Sequence, residues 1–301
     1  MKLYTIDTGL FKLDGGAMFG VVPKVIWNKL NPADENNLCT WAMRCLLIED
    51  DNKLILIDTG IGTKQSEKFM SHYYLHGSDT LETSLQKQGF STNDITDVIL
   101  THLHFDHVGG AVKQVGEMLQ LTFPNAVYWS NEVHWKTATE PNRREKASFF
   151  KENIFPIQES GRLQFIEHPF VKKAGTESDG WAAYTPLDSF VISFQKNISI
   201  RYVQGHTESM MLPQITYKQK TLLYMADLIP SIHHLPIPYV MAYDMNPKIT
   251  LVEKERILQE ALDNDYILYF EHDPHIECCT LQQTDKGIRV KETFLLSELT
   301  D

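Results

Sequence analysis

Long apolar runs are missing from this sequence. No stretch approaches the roughly 20 apolar residues that a membrane-spanning helix needs. The first ten residues, MKLYTIDTGL, mix charged and polar side chains with apolar ones, unlike the apolar core of a secretory signal. We therefore expect a cytoplasmic protein with no membrane partner.

Cysteine and positive charge are also scarce. The four cysteines are too few and too unevenly spaced for a disulfide framework or a zinc ribbon, so we expect buried free thiols. The chain has 28 basic and 39 acidic residues, a net charge of −11, which on average repels a phosphate backbone. We expect no nucleic acid partner.

The pattern along the chain favours one domain of mixed strands and helices. No segment rich in glycine, serine or proline divides the 301 residues, so a single domain is predicted. Apolar, β-favouring runs at 40–49 and 53–58 flank Asp50-Asp51-Asn52 and indicate a hairpin. Helical patterns around 81–89 and 251–262 favour two packed sheets with helices outside. Further helices around 131–160, interrupted at Pro141, are predicted to form an insertion that acts as a lid.

The strongest functional signal is the segment 101–110, which reads THLHFDHVGG. It follows a short apolar strand pattern at 97–101, so the segment lies on a loop at a strand end, where binding groups can converge. Imidazoles and a carboxylate so closely spaced suit zinc or another borderline divalent ion. The candidate ligands in this segment are His102, His104, Asp106 and His107.

A complete metal site needs ligands from other parts of the chain. Three more potential ligands each follow a predicted strand: His206 after Gly205, Asp227 after Ala226, and His272 between two acidic residues. Because strand ends are the places where loops meet, we expect these side chains to join the histidine segment.

Together these residues resemble the pattern of the metallo-β-lactamase superfamily: His-x-His-x-Asp-His, then Gly-His, then Asp, then a final His. The resemblance spans Asp58 to His272. It implies an α+β fold, a four-layer αββα sandwich of two mixed β-sheets flanked by helices, with two divalent ions at one edge. In that pattern His102, His104 and His206 hold one ion, Asp106, His107 and His272 hold the other, and Asp227 bridges them. Zinc is the expected ion, with manganese, cobalt and iron as alternatives.

The chemistry expected of such a site is hydrolysis. Two divalent ions lower the pKa of a shared water, so a hydroxide forms at neutral pH without a side-chain base. Asp106 and Asp227 are the predicted catalytic residues, with Asp106 passing a proton to the leaving group. Asp58 lies in the Asp-Thr-Gly turn of the family and is predicted to orient a ligand imidazole. His104 stands where related di-iron reductases carry glutamate, which disfavours a redox site. An iron-dependent dioxygenase is the less favoured alternative, because the related persulfide dioxygenases use similar histidines but need fewer carboxylates.

Within the superfamily the chain resembles the N-acyl homoserine lactone lactonases. The ligand set, the Ala226-Asp227 turn and the run 269–274, YFEHDP, carry this resemblance. It implies opening of a lactone ring by the shared hydroxide, with N-acyl homoserine lactones as substrates and quorum quenching as the role. The alternative is a phosphotriesterase or aryl esterase of the methyl parathion hydrolase type. We thus expect a small ester or lactone with an apolar chain as the partner, and a homodimer.

An apolar substrate chain needs an apolar pocket, and the glycine-rich segment 15–27 offers side chains for it. The known lactonases place a tyrosine three residues after the bridging aspartate, where this chain has Pro230. His233, His234 or Tyr239 is expected to reach the same space. The other predicted pocket residues are Met18, Phe19, Val22, Trp27 and Phe105.

Overall fold

The computed structural model describes residues 1–168 and 191–299 and places two β-sheets face to face. The first part of the chain forms the strands β1 (Lys2–Asp14), β2 (Leu38–Asp50), β3 (Lys53–Ile57), β4 (Asp97–Ile99), β5 (Val112–Val115), β6 (Met118–Leu121), β7 (Val127–Ser130) and β8 (Leu163–Phe165). Six of them form the first sheet in the order β1-β2-β3-β4-β7-β8, and β5 pairs with β6 in a separate hairpin. The sheet is mixed, because β3, β4, β7 and β8 run parallel.

The second sheet comes from the later part of the chain. Its strands are β9 (Val191–Gln195), β10 (Ile198–Val203), β11 (Met210–Tyr217), β12 (Lys220–Tyr224), β13 (Ile267–Tyr269), β14 (Cys278–Thr284) and β15 (Gly287–Phe294). They lie in the order β15-β14-β13-β12-β11-β10-β9. Only the pair β12 and β13 is parallel among the described residues of this sheet, so it is mixed as well.

Eight α-helices connect or flank the strands in the described residues. They are α1 (Gly15–Phe19), α2 (Lys24–Trp27), α3 (Glu67–Met70), α4 (Leu81–Lys87), α5 (Phe105–Val108), α6 (Glu132–Thr139), α7 (Lys151–Glu159) and α8 (Pro247–Asp263). Short 3₁₀ turns lie at Gly109–Ala111, Ala226–Leu228, Ile232–His234 and Leu296–Leu299. In the described part of the chain, no helix is both long and apolar enough to cross a membrane.

One hydrophobic core joins the two sheets. Ile48 and Ile57 of the first sheet pack in the same buried cluster as Ile200, Leu212 and Leu223 of the second. On the opposite face of the first sheet, α4 buries its apolar side chains in another cluster, and α8 contacts β14 and β15 of the second sheet. The predicted α+β class and the αββα layering are therefore confirmed.

The local sequence explains several of these elements. The hairpin predicted at 50–52 joins β2 and β3, with Asp50 paired to Lys53 and Asp51 in the left-handed region at a φ of 50°, which aspartate tolerates. The glycine-rich segment 15–27 contains the short helices α1 and α2. Asp14 caps α1, because its carboxylate accepts the Ala17 amide at 2.8 Å, and this local bond makes the short helix possible.

Strand direction brings the carboxyl ends of five strands to one edge of the sandwich. Parallel pairing aligns β3 with β4 and β12 with β13, so the segments that follow these strands emerge together. Asp58 follows β3, the histidine segment follows β4, Asp227 follows β12 and His272 follows β13. His206 reaches the same edge after β10.

Two glycines let the histidine segment lie against the neighbouring turn. A Cβ on Gly109 would lie 2.1 Å from the Ile61 carbonyl oxygen, and a Cβ on Gly110 would lie 2.1 Å from that of Thr59. The Gly110 amide instead donates to the Gly60 carbonyl at 2.9 Å. Only glycine permits this approach of two backbones, and it holds the segment 101–110 against the Asp58 turn.

We predict that Gly110→Ala destabilises the fold by about 3 kcal/mol, because its methyl group meets a backbone oxygen that no side-chain rotation can move. Gly116→Ala is the matched control. Its Cβ would meet no atom within 4 Å, and only the left-handed φ of 61° opposes it, at a cost of about 1 kcal/mol. Denaturant unfolding of both variants measures the difference, and equal losses would contradict the close backbone contact.

Candidate metal centre

The predicted ligands meet at the edge described above and form two adjoining clusters. In each cluster the potential ligand atoms lie within 4.8 Å of one another, and every residue is buried. The first cluster contains His102, His104, His206 and Asp227, and the second contains Asp106, His107 and His272. These are the two groups expected from the sequence, with Asp227 adjoining both.

The spacing of the imidazole nitrogens fits a shared ion in each cluster. His104 Nδ1 lies 3.2 Å from His206 Nε2, and His107 Nε2 lies 3.2 Å from His272 Nε2. Two nitrogens bound tetrahedrally to zinc at about 2.0–2.1 Å would be about 3.3 Å apart. The buried Nε2 of His102 has no hydrogen-bond partner within the described residues, as expected of an atom that binds a metal ion. The donor set therefore fits a divalent ion in each cluster.

Asp227 turns one carboxylate oxygen toward each cluster. Its Oδ2 lies 3.1 Å from His206 Nε2, whereas its Oδ1 lies 3.0 Å from His272 Nε2. Burial alone raises the pKa of this carboxyl, but the charges of the imidazoles around it hold the pKa well below the usual range. An ionised carboxylate with one oxygen on each side is what a bridging ligand requires.

Asp58 contacts a predicted ligand from the side away from the cluster. Its Oδ2 lies 3.1 Å from His107 Nδ1, and it also accepts the hydroxyl of Thr101 at 2.6 Å. When Asp58 accepts the proton on Nδ1 of His107, the Nε2 of the same ring is free to bind an ion. This is the orienting role predicted for Asp58. Glu271 Oε2 lies at the same distance, 3.1 Å, from this nitrogen, and burial and the Asp58 charge raise the pKa of Glu271.

Other ligand imidazoles are also held from behind. His272 Nδ1 lies 2.7 Å from the Ala42 carbonyl oxygen, and the backbone amide of His272 donates to the Pro230 carbonyl. His206 Nδ1 lies 2.9 Å from Asp244 Oδ1. Asp244 was not anticipated from the sequence, because a single aspartate 38 residues beyond its partner gives no pattern.

Glu145 is the second residue that the sequence did not reveal. It is buried, and its Oε1 lies 3.6 Å from His104 Nε2, an electrostatic contact too long for a full hydrogen bond. The carboxylate also accepts the Thr207 hydroxyl at 2.5 Å and the Asn142 amide at 2.6 Å. Burial opposes ionisation, but these contacts lower the pKa of Glu145 to about 2. A charged carboxylate from the segment between α6 and α7 therefore stands behind His104.

A cavity of about 420 Å³ opens onto the two clusters. Leu13, Met18, Phe105 and Met241 form an apolar wall, and Arg144, Tyr73 and Tyr243 add polar groups. Asp106, Asp227 and three of the imidazoles lie at the cavity floor. Of the pocket residues predicted from the sequence, Met18 and Phe105 therefore lie where expected.

The other predicted pocket residues do not line this cavity. Phe19, Val22 and Trp27 belong to a buried cluster behind the wall, with the Phe19 ring stacked between Trp27 and His234. Within α1, Ala17 and Met18 line the cavity, whereas the next residue, Phe19, packs on Trp27 and His234, and the sequence does not indicate this difference.

The predicted replacements for the family tyrosine are also wrong in position. His234 is buried, and its two ring nitrogens lie 2.9 Å from the Ser231 hydroxyl and 2.9 Å from the Met18 carbonyl oxygen. Its ring is therefore occupied within the core. His233 and Tyr239 likewise lie outside the cavity wall.

Comparison with known sequences identifies the family that this pattern represents. The model of the Metallo-beta-lactamase superfamily matches residues 44–272. A probable metallo-hydrolase of Mycobacterium tuberculosis is 22% identical over 257 residues, which cover 77% of this chain and 74% of the relative. An N-acyl homoserine lactonase of Bacillus cereus is 29% identical over 119 residues, or 36% of this chain and 43% of that protein.

Solved structures share the fold over almost the whole chain. A probable metal-dependent hydrolase from Staphylococcus aureus has a TM-score of 0.83 at 26% identity and covers 98% of this chain and 96% of that one. The dizinc quorum-quenching lactonase AidC, in complex with a product, has a TM-score of 0.72 at 24% identity and covers 97% and 95%. The resemblance seen in the ligand pattern is thereby confirmed.

We predict that Glu145→Gln weakens zinc binding about tenfold, because the neutral amide no longer attracts the His104 imidazole. Competition with a chromophoric chelator measures the affinity without any reference to activity. Glu140→Gln, an exposed substitution in the same insertion, is the matched control and should leave the affinity unchanged. Equal zinc affinity in Glu145→Gln and wild type would rule out a role for the carboxylate at the metal site.

Metal binding should release protons at pH 7 and strengthen as the pH rises. Burial lowers the pKa values of His206 and His272, but Asp227 and the other carboxylates beside them raise these values to about 10 and about 9. Both imidazoles therefore carry a proton at neutral pH when no ion is bound, and an ion must displace it. Calorimetric zinc titration in buffers of different ionisation enthalpy measures this release, and heats independent of the buffer would contradict it.

Proposed function

Because this chain belongs to the metallo-β-lactamase superfamily, we propose that it is a dinuclear metal hydrolase that opens lactone rings, with N-acyl homoserine lactones as substrates. The observation that carries this proposal is the pair of histidine and aspartate clusters, joined at Asp227, on the floor of an apolar-walled cavity. Such a cavity offers burial to an acyl chain while its ring lies against the floor. The lactonase activities of two relatives support the same choice.

The metal ions proposed here are zinc. We assign His102, His104 and His206 to one ion and Asp106, His107 and His272 to the other, with Asp227 shared. When bound, two such ions supply a nucleophile from water at neutral pH and polarise the substrate carbonyl. The nitrogen-rich donor set favours zinc over harder ions such as magnesium, which prefer oxygen ligands.

Asp106 is the proposed proton carrier. Its carboxylate lines the cavity, and its Oδ2 lies 3.9 Å from His107 Nε2 and 4.0 Å from His272 Nε2. These long contacts leave the oxygen accessible from the cavity side. Asp106 can therefore accept a proton from the attacking water-derived nucleophile and deliver it to the alkoxide that leaves when the ring opens.

The insertion at 131–160 is proposed to cap the pocket. Its helices α6 and α7 are joined by a segment from which Arg144, Glu145, Ala147 and Ser148 line the cavity. The Arg144 guanidinium donates to the Ala242 carbonyl on the opposite rim. This contact ties the insertion across the cavity and limits the substrates that can enter. The single domain and the homodimer predicted from the sequence stay predictions.

A second candidate function is an aryl esterase or phosphotriesterase. The observation that favours it is the aromatic part of the wall, where Tyr73, Phe105 and Tyr243 surround the cavity. Aromatic rings of this kind can pack against an aryl leaving group. An aryl substrate would use the same ions and the same proton carrier, so the two functions differ only in the wall contacts they need.

We expect the zinc-loaded enzyme to open N-acyl homoserine lactones with a kcat/KM that rises with acyl length, because a longer chain buries more apolar area at about 25 cal/mol per Å². A panel of lactones, aryl esters and phosphotriesters, with metal analysis on the same preparation, tests this. Removal of the metal by chelation should abolish the reaction, and zinc should restore it.

Faster turnover of aryl esters or phosphotriesters than of every lactone would select the second candidate. Iron in the purified protein, with oxygen uptake and no hydrolysis of any substrate in the panel, would contradict both hydrolase assignments and favour a dioxygenase. The same panel should include the variant Asp227→Asn. It should lose metal and activity together, because the charge of the Asp227 carboxylate faces both clusters.

A further inference from the structure

We propose that Tyr243 is a catalytic residue whose phenol hydroxyl donates a hydrogen bond to the substrate carbonyl oxygen as negative charge develops there. This inference rests on the proposed function and adds a residue to it. A neutral donor aimed at a developing oxyanion is a large source of rate acceleration in acyl transfer.

The phenol is accessible from the cavity. Tyr243 lines the cavity wall and is 42% exposed, so a substrate can reach it. Its hydroxyl makes no hydrogen bond to any described residue. Asp106 and Asp227 line the same cavity, so the phenol shares it with a carboxylate from each cluster.

The segment that carries Tyr243 is attached directly to a predicted metal ligand. The next residue, Asp244, holds His206 Nδ1 at 2.9 Å, and the Met245 amide donates to the His206 carbonyl at 3.0 Å. On the other side, the Ala242 amide donates to the Ala17 carbonyl at 2.8 Å. These bonds fix the backbone of Tyr243 relative to the clusters, which is the rigidity that a catalytic donor needs.

Other donors on the wall are less suited to this role. The Arg144 guanidinium binds the carbonyl oxygens of Ala242 and Asp244, and the Glu145 carboxylate can only accept. Tyr73 packs its ring against Phe69 and Phe105, with centroids 4.9 Å apart in both pairs.

The surroundings keep the phenol in its donor form. Burial, the Tyr73 phenol and the Asp106 carboxylate raise the pKa of Tyr243 above its usual value near 10. The hydroxyl therefore retains its proton throughout the pH range in which the enzyme would work. It can donate to an oxyanion without acting as an acid itself.

The test compares Tyr243→Phe with Tyr74→Phe as the matched control, on the most rapidly hydrolysed lactone or ester of the panel. Tyr74 is exposed and does not line the cavity. We expect Tyr243→Phe to lower kcat about 100-fold with KM changed by less than about threefold, because the donor acts on the transition state. Tyr74→Phe should retain kcat within about threefold, because its side chain lies outside the cavity. Zinc content and thermal unfolding should match wild type in both variants, since each keeps its ring.

Four outcomes would overturn the inference. Unchanged kcat in Tyr243→Phe, or an equal loss in both variants, would remove the specific role of this hydroxyl while leaving the proposed hydrolase intact. Loss of zinc in Tyr243→Phe would show a structural role instead. A wild-type enzyme that hydrolyses nothing in the panel would overturn the proposed function, and this inference with it.

Discussion

The buried carboxylate of Asp227, with one oxygen toward each imidazole cluster, is the interaction on which the arrangement of this site depends. An ionised carboxyl that is 7% exposed is costly unless opposite charge surrounds it. Imidazoles of His206 and His272 supply that charge at 3.1 and 3.0 Å when they carry protons, and divalent ions would supply more. Five buried histidines converge around the Asp227 carboxylate. The burial of these histidines in turn depends on its negative charge. The site therefore forms as a unit, and no ligand is independent of the others.

The fold places these groups through strand direction and close backbone packing. Parallel pairing of β3 with β4 and of β12 with β13 sends three ligand-bearing segments and the Asp58 turn to one edge. The segments are then fixed by bonds behind the imidazoles, from Asp58, Asp244 and the Ala42 carbonyl. Each bond orients one ring without contributing a ligand atom. Precision at the floor of the cavity is thus obtained from rigid strand ends rather than from the loops alone.

The layers of the fold and the candidate metal ligands can be predicted from the sequence, because both depend on local patterns. Short apolar runs mark the strands, and ligand-type residues directly follow them. The sequence does not predict which side chains line the cavity wall. Whether Phe19 or Met18 faces the cavity depends on how the five-residue helix α1 packs on the segment 240–242, which no local periodicity encodes. Glu145 and Asp244 were missed for the same reason: each meets its histidine across a long stretch of chain, and a single carboxylate gives no spacing to recognise.

The wall and the ligand supports alternate along two segments of chain. In the insertion, Arg144 lies at the cavity rim, while its neighbour Glu145 contacts His104 and Thr207. In the segment before α8, Tyr243 faces the cavity, while its neighbour Asp244 holds His206. A shift of either segment by one residue would therefore remove a ligand support as well as change the wall. It follows that a substitution of Arg144 can change the cavity wall without removing a ligand support, whereas an insertion or deletion beside it would displace Glu145 from His104.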